Sequence, residues 1–113
     1  MGLFRRSKKK REQDAPSEEP LLKSDRIAFE MIETDSDEHL NELAEDVMNG
    51  TPLIINFDPL TIDQANKVIA FLSGVCFAID GVIVQVRDKI FMFASADVYE
   101  DGSMEDFLKD FVE

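Results

Sequence analysis

The chain has 113 residues, 44% of them hydrophobic, with 24 acidic side chains against 12 basic ones and a net charge of -12. That length supports one domain around a single core and excludes two. One cysteine, Cys76, excludes a disulfide framework and a cysteine-rich metal site, and with no signal peptide legible the expected setting is reducing and cytoplasmic.

Charge is segregated along the chain. The first 13 residues, MGLFRRSKKKREQ, set Arg5, Arg6, Lys8, Lys9, Lys10 and Arg11 against Glu12, a balance of +5, so the other 100 residues carry -17. A basic arm on an acidic body is the pattern of a tail that meets a polyanion while the body is repelled by it. The tip Met1, Gly2, Leu3 and Phe4 is apolar. A lipid headgroup layer accepts such side chains and a phosphate backbone has no use for them, so anionic membrane is favoured over nucleic acid, which stands as the alternative partner. Six cations at roughly 1 kcal/mol each give a reversible electrostatic anchor. Residues 1–11 therefore read as a membrane-binding arm, and no nucleic acid is expected. Residues 12–24, EQDAPSEEPLLKS, hold two prolines and several acids with little to bury, and read as a disordered linker.

A folded domain is expected over 25–113. RIAFEMIE, residues 26–33, reads as a strand with Ile27, Phe29 and Met31 on one side and Ala28, Glu30 and Ile32 on the other. A helix follows in DSDEHLNELAEDVMNG, with Asp35 or Ser36 as cap, Gly50 as stop, and Leu40, Leu43, Ala44, Val47 and Met48 as its apolar stripe. His39 stands in an acid-rich first turn; a metal shared with Asp35 or Glu38 is the weaker reading of it and an exposed surface histidine the stronger. PLIINF, residues 52–57, is apolar on both faces, as a central strand covered on two sides would be.

After the Asp58-Pro59 turn, Thr61 and Gln64 are spaced as a capping box for a second helix. Ile62, Ala65, Val68, Ile69 and Leu72 form its core stripe, while Phe71 and Val75 carry apolar surface round toward a second side. Val68 to Ile79 is uncharged for twelve residues. This run is too short for a bilayer, which needs about 20 apolar residues, and more than one sheet contact can cover. Phe71, Gly74 and Val75 are accordingly the expected oligomerisation surface, with Gly74 allowing a close backbone approach or else ending or kinking the helix. GVIVQVRDKIFMFASADVYE reads as two strands joined at Arg87-Asp88 and a short piece near Val98, and SMEDFLKDFVE as a terminal helix with Met104, Phe107, Leu108, Phe111 and Val112 at helical spacing. The resulting fold class is α/β (α+β): a two-layer sandwich with a mixed sheet of about five strands, two main helices and a short C-terminal helix. Phe91 or Phe93 is expected on the sheet face that the main helices do not cover, exposed there unless the last helix or a partner covers it.

No catalytic constellation, phosphate loop, cofactor motif or metal-ligand spacing emerges, so the expected protein is not an enzyme and takes no cofactor. A ligand-sensing α/β domain is a further alternative. The segment PLIINFDPLTIDQANKVIAFLSGVCFAIDGVIVQVRDKIFMFASADV resembles the core of SepF, a bacterial and archaeal cell-division family, at Asn56, Phe71, Leu72, Ser73, Gly74, Asp80, Gly81, Lys89, Ile90 and Phe91. It departs from the family's usual pattern at Ala70, Gln85, Arg87 and Ser95, and in its short, densely basic arm. The resemblance implies a dimeric or higher-oligomeric α/β sandwich, peripheral on the inner face of the cell membrane at the division site. It further implies binding to the C-terminal peptide of FtsZ, the tubulin-like division GTPase. A short, partly apolar peptide needs an apolar groove beside cations, and few places on so acidic a body qualify. Arg87, Lys89, Phe91 and Phe93, on one strand and its turn, are the expected peptide site, near a subunit interface.

Overall fold

Local side-chain chemistry sets where the helices begin. A computed structural model describes residues 22–112, and the expected arm and most of the linker lie outside them. The Ser36 hydroxyl accepts the His39 N–H at 3.3 Å and starts α1, Asp37–Met48. Thr61 and Gln64 cap α2, Ile62–Ala78, reciprocally. The Gln64 N–H donates to Thr61 Oγ1 at 3.2 Å, and the Thr61 N–H donates to Gln64 Oε1 at 3.0 Å. Past the end of α1, Gly50 takes φ 92°, a left-handed conformation that costs glycine little.

Four strands form one mixed sheet in the order β1-β2-β4-β3: β1 Ala28–Met31, β2 Leu53–Asn56, β3 Val82–Arg87 and β4 Ile90–Ala94. β1 is parallel to β2, so the chain needs a crossover, which α1 supplies. β4 lies antiparallel between β2 and β3. The helix α2 carries the chain to the far edge, and the Asp88-Lys89 turn brings it back. Lys89 there takes φ 65°, and the register between β3 and β4 shifts across Gln85/Arg87. The fold class is α+β, as expected. The sheet has four strands because the piece near Val98 is a 3-10 turn, Ala96–Tyr99, that drops Val98 into the core.

Both sheet faces are covered. On one, Leu53, Ile55, Phe57 and Phe93 pack against Leu40, Leu43 and Val47 of α1 and Val68, Leu72 and Cys76 of α2. On the other, Ile54, Val86, Met92 and Ala94 pack with Val98 and Met104, and Phe107, Leu108 and Phe111 of α3, Ser103–Val112, close over them. The terminal helix thus fills the face that the two main helices leave. Phe91 and Phe93 do not lie on that second face. The two-residue alternation turns both toward α1 and α2, and Met92 between them takes the α3 side. β1 is also lopsided: Ala28 packs on the main core, while Phe29 and Met31 are 61% and 60% exposed.

Two tight spots hold the layers in place. Gly81, after Asp80 at φ 56°, passes so close to the Ala94 carbonyl that a Cβ would collide with it. At the start of the described chain, the 3-10 turn Lys23–Arg26 is tied to the far end: the Lys23 N–H donates to Asp101 at 2.8 Å, Lys23 Nζ lies 3.1 Å from Asp97, and the Ser24 N–H donates to Ser103 Oγ at 3.0 Å.

Candidate functional site

One face of α2 is committed to the core through Val68, Leu72 and Cys76, with Ala65, Ile69 and Val75 partly buried beside them. The opposite face is left to solvent. Phe71 is 37% exposed and Phe77 86%, Ala70, Gly74 and Ala78 lie open between them, and Ile83 on the adjacent edge strand β3 is 40% exposed. Nothing lies within 4 Å of the position a Gly74 Cβ would take. The structure therefore brings Phe71 and Gly74 together on an outward apolar stripe and turns Val75 toward the core. Sequence reasoning missed Phe77, although it follows Gly74 by three positions and so shares its face. Lys67, one turn earlier, is held by Asp35 at 3.7 Å and Asp37 at 3.5 Å, which puts charge at one end of the stripe.

The β3–β4 turn presents the second candidate surface. Arg87 donates from Nε and Nη2 to the Phe111 carbonyl at 3.0 and 2.6 Å, with its guanidinium 5.2 Å from the centre of the Phe111 ring. It is engaged with α3. Lys89 is exposed, with Nζ 3.4 Å from Asp58. Phe91 is half-buried and Phe93 fully buried. Both rings meet Phe57 edge to face, at 5.8 and 6.3 Å between centroids, and stack on each other at 6.4 Å. Of the four residues expected as one peptide site, Lys89 and Phe91 are accessible on the same side of the turn. Phe93 lies beneath Phe91, and Arg87 reaches to the other layer.

His39 pairs with β1 rather than with Asp35 or Glu38. Its Nε2 is 2.6 Å from Glu30 Oε2 and its Nδ1 3.8 Å from Glu42 Oε1, with the ring and both carboxylates only partly exposed. Burial pushes the Cys76 thiol up, a hydrogen bond involving the Ala94 backbone offsets this in part, and the neutral thiol is a poor nucleophile. Asp97 is held below its ordinary value by the Ser95 hydroxyl and then by Lys23, and Asp101 by the backbone N–H groups of Lys23 and Ser103 and then the Ser103 hydroxyl. These carboxylates fasten the first described turn to the last helix. The arm residues Met1 to Arg11 lie outside the described residues.

The class defined by this arrangement is a small α+β domain with a helical layer on each sheet face and an apolar helix stripe turned outward. A family model described as Cell division protein SepF matches residues 31–99, and the chain belongs to that family. Cell division protein SepF of Natranaerobius thermophilus is 27% identical over 107 residues, covering 92% of this chain and 64% of that protein. That of Lacticaseibacillus casei is 36% identical over 63 residues, covering 56% and 42%. Cell division protein SepF 2 of Desulforamulus reducens is 28% identical over 90 residues, covering 78% and 55%. The chain spans between 42% and 64% of the length of these relatives. The family is described by a role in cell division and not by a reaction.

Proposed function

We propose that the chain is a non-enzymatic division adaptor. It assembles as a homodimer or higher oligomer through the outer face of α2, binds the C-terminal peptide of FtsZ, and tethers FtsZ filaments to the cytoplasmic membrane at the division site through residues 1–11. The observation that carries this reading is the stripe Phe71, Gly74 and Phe77, apolar and open on a body that is net acidic. A helix that exposes a phenylalanine at 86% gains by burial against a second copy, at about 25 cal/mol for each Å² covered. The basic arm, net positive on a negative body, supplies the lipid contact.

The FtsZ peptide is assigned to Lys89 and Phe91 at the β3–β4 turn, with Phe93 as the floor beneath, while Arg87 is engaged with α3 on the other layer. A mixed-charge, partly apolar peptide meets a cation and an accessible ring there. Titrating the host's FtsZ tail peptide into wild type, Lys89→Glu and Phe91→Ala, with folding checked by circular dichroism, tests the site. Weaker binding in both folded variants is expected, and unchanged affinity in both places the peptide elsewhere.

A further inference from the structure

Among the described residues, β1 is an edge strand with its outer side unpaired. The Ala28 N–H donates to Pro52 at 2.9 Å and the Ile32 N–H to Asn56 at 3.2 Å, so the even-numbered residues serve the parallel ladder and the N–H and C=O groups of Phe29 and Met31 point away from the sheet. Among the described residues no backbone group meets them on that side. The Phe29 and Met31 side chains stand exposed next to this edge, and the Phe29 ring lies 6.0 Å from Phe107 of α3. The surroundings hold more acids than bases, the cations being Arg26 before the strand and Lys109 on α3. Glu30 stands on the opposite strand face, Glu33 follows the strand, and Asp106 and Asp110 flank Phe107 along α3.

An apolar, hydrogen-bonding edge with an acidic rim fits an extended segment that is apolar and then cationic. A second copy's β1 fits poorly, because it brings the same acids to the same edge. The chain itself carries a matching segment, Leu3 to Lys8, LFRRSK. We propose that this segment adds to β1 of its own chain as a fifth strand. The tether reaches: Leu22 precedes Ala28 by six positions, and residues 9–21 extend up to about 43 Å at about 3.3 Å each. A tether of this length holds the segment at an effective concentration on the order of millimolar, which favours the segment's own chain over another's.

The same residues serve the membrane in the function proposed above, so an anionic surface would draw the arm away and uncover the edge. That consequence rests on the membrane reading, whereas the strand addition does not. Amide hydrogen exchange without lipid tests the addition in the full chain, in the chain lacking residues 1–11, and in full-length Arg5→Glu/Arg6→Glu. The Phe29 and Met31 amides are expected to exchange about tenfold more slowly in the full chain than in either variant, at a ratio independent of protein concentration. Equal rates in the full and shortened chains overturn the proposal. Protection that grows with concentration overturns it in favour of a second copy. Because no lipid is present, either failure is distinct from a failure of membrane binding.

Discussion

Arg87 and Phe111 are joined twice: the guanidinium donates two hydrogen bonds to the Phe111 carbonyl and lies 5.2 Å from the centre of its ring. A cation at the last turn of α3 meets the negative end of the helix dipole and an orphan carbonyl together. The contact ties the β3–β4 turn to the helix that closes the second sheet face.

Replacing Arg87 by Ala should therefore loosen α3 without unfolding the sheet. The exposed position limits the cost to about 1 kcal/mol. Thermal denaturation should show a small loss, and amide exchange should quicken across Ser103–Val112 while β2 and β4 keep their protection.

The Lys23–Asp97 tie makes the attachment of the first turn sensitive to acid. Asp97 is held below its ordinary value of 3.8, by the Ser95 hydroxyl first and by Lys23 second, so its contribution is fully present above that value and is lost as the pH falls below it toward the folded-state value. Asp97 is partly exposed and the effect is correspondingly small. Chemical shifts of Lys23 and Ser24 followed down the pH scale should report this local release before global unfolding, and Asp97→Asn should show the released shifts already at neutral pH.

Much of this fold was legible because its signals are local. The hydroxyl of Ser36, the Thr61-Gln64 pair and Gly50 each act on backbone within four residues, so the helix limits could be read from spacing alone. The side that each strand gives to the core was harder to read. IFMFA is apolar on both faces, and only the docking of α3 against Met92 and of α1 and α2 against Phe93 separates them. In β1 the larger side chains, Phe29 and Met31, stay outside while Ala28 goes in, a choice made by layers distant in sequence. The Phe71 and Gly74 stripe followed from helical period, and Phe77, which obeys the same period, went unread in a run with no charge to separate its faces.

Gly74 separates the needs of the monomer from those of the assembly. Its Cβ position is open, so Gly74→Lys should stay folded, and Gly74→Ala should stabilise the monomer by roughly 1 kcal/mol through helix propensity. If copies pack on this stripe, Gly74→Lys and Phe77→Ser should both reduce the molecular mass seen by light scattering while circular dichroism is unchanged. Unfolding of Gly74→Lys would instead assign this glycine to the monomer's own packing.

An arm that binds mainly by charge should respond to salt and to neutralisation. Changing Lys8, Lys9, Lys10 and Arg11 to Gln should abolish sedimentation with anionic vesicles, and rising salt should weaken it in the wild type. Neutral vesicles should bind poorly, and duplex DNA should not replace anionic lipid as the preferred surface.

Recruitment of FtsZ to a membrane tests the adaptor account most directly. FtsZ polymers are sedimented with anionic vesicles in the presence of the full chain, of the chain lacking residues 1–11, and of Lys89→Glu. The account predicts that FtsZ pellets with vesicles only alongside the full chain, that the shortened chain leaves FtsZ and itself in the supernatant, and that Lys89→Glu binds vesicles yet carries much less FtsZ. FtsZ pelleting to the same extent with or without the full chain, although that chain itself binds the vesicles, would contradict it.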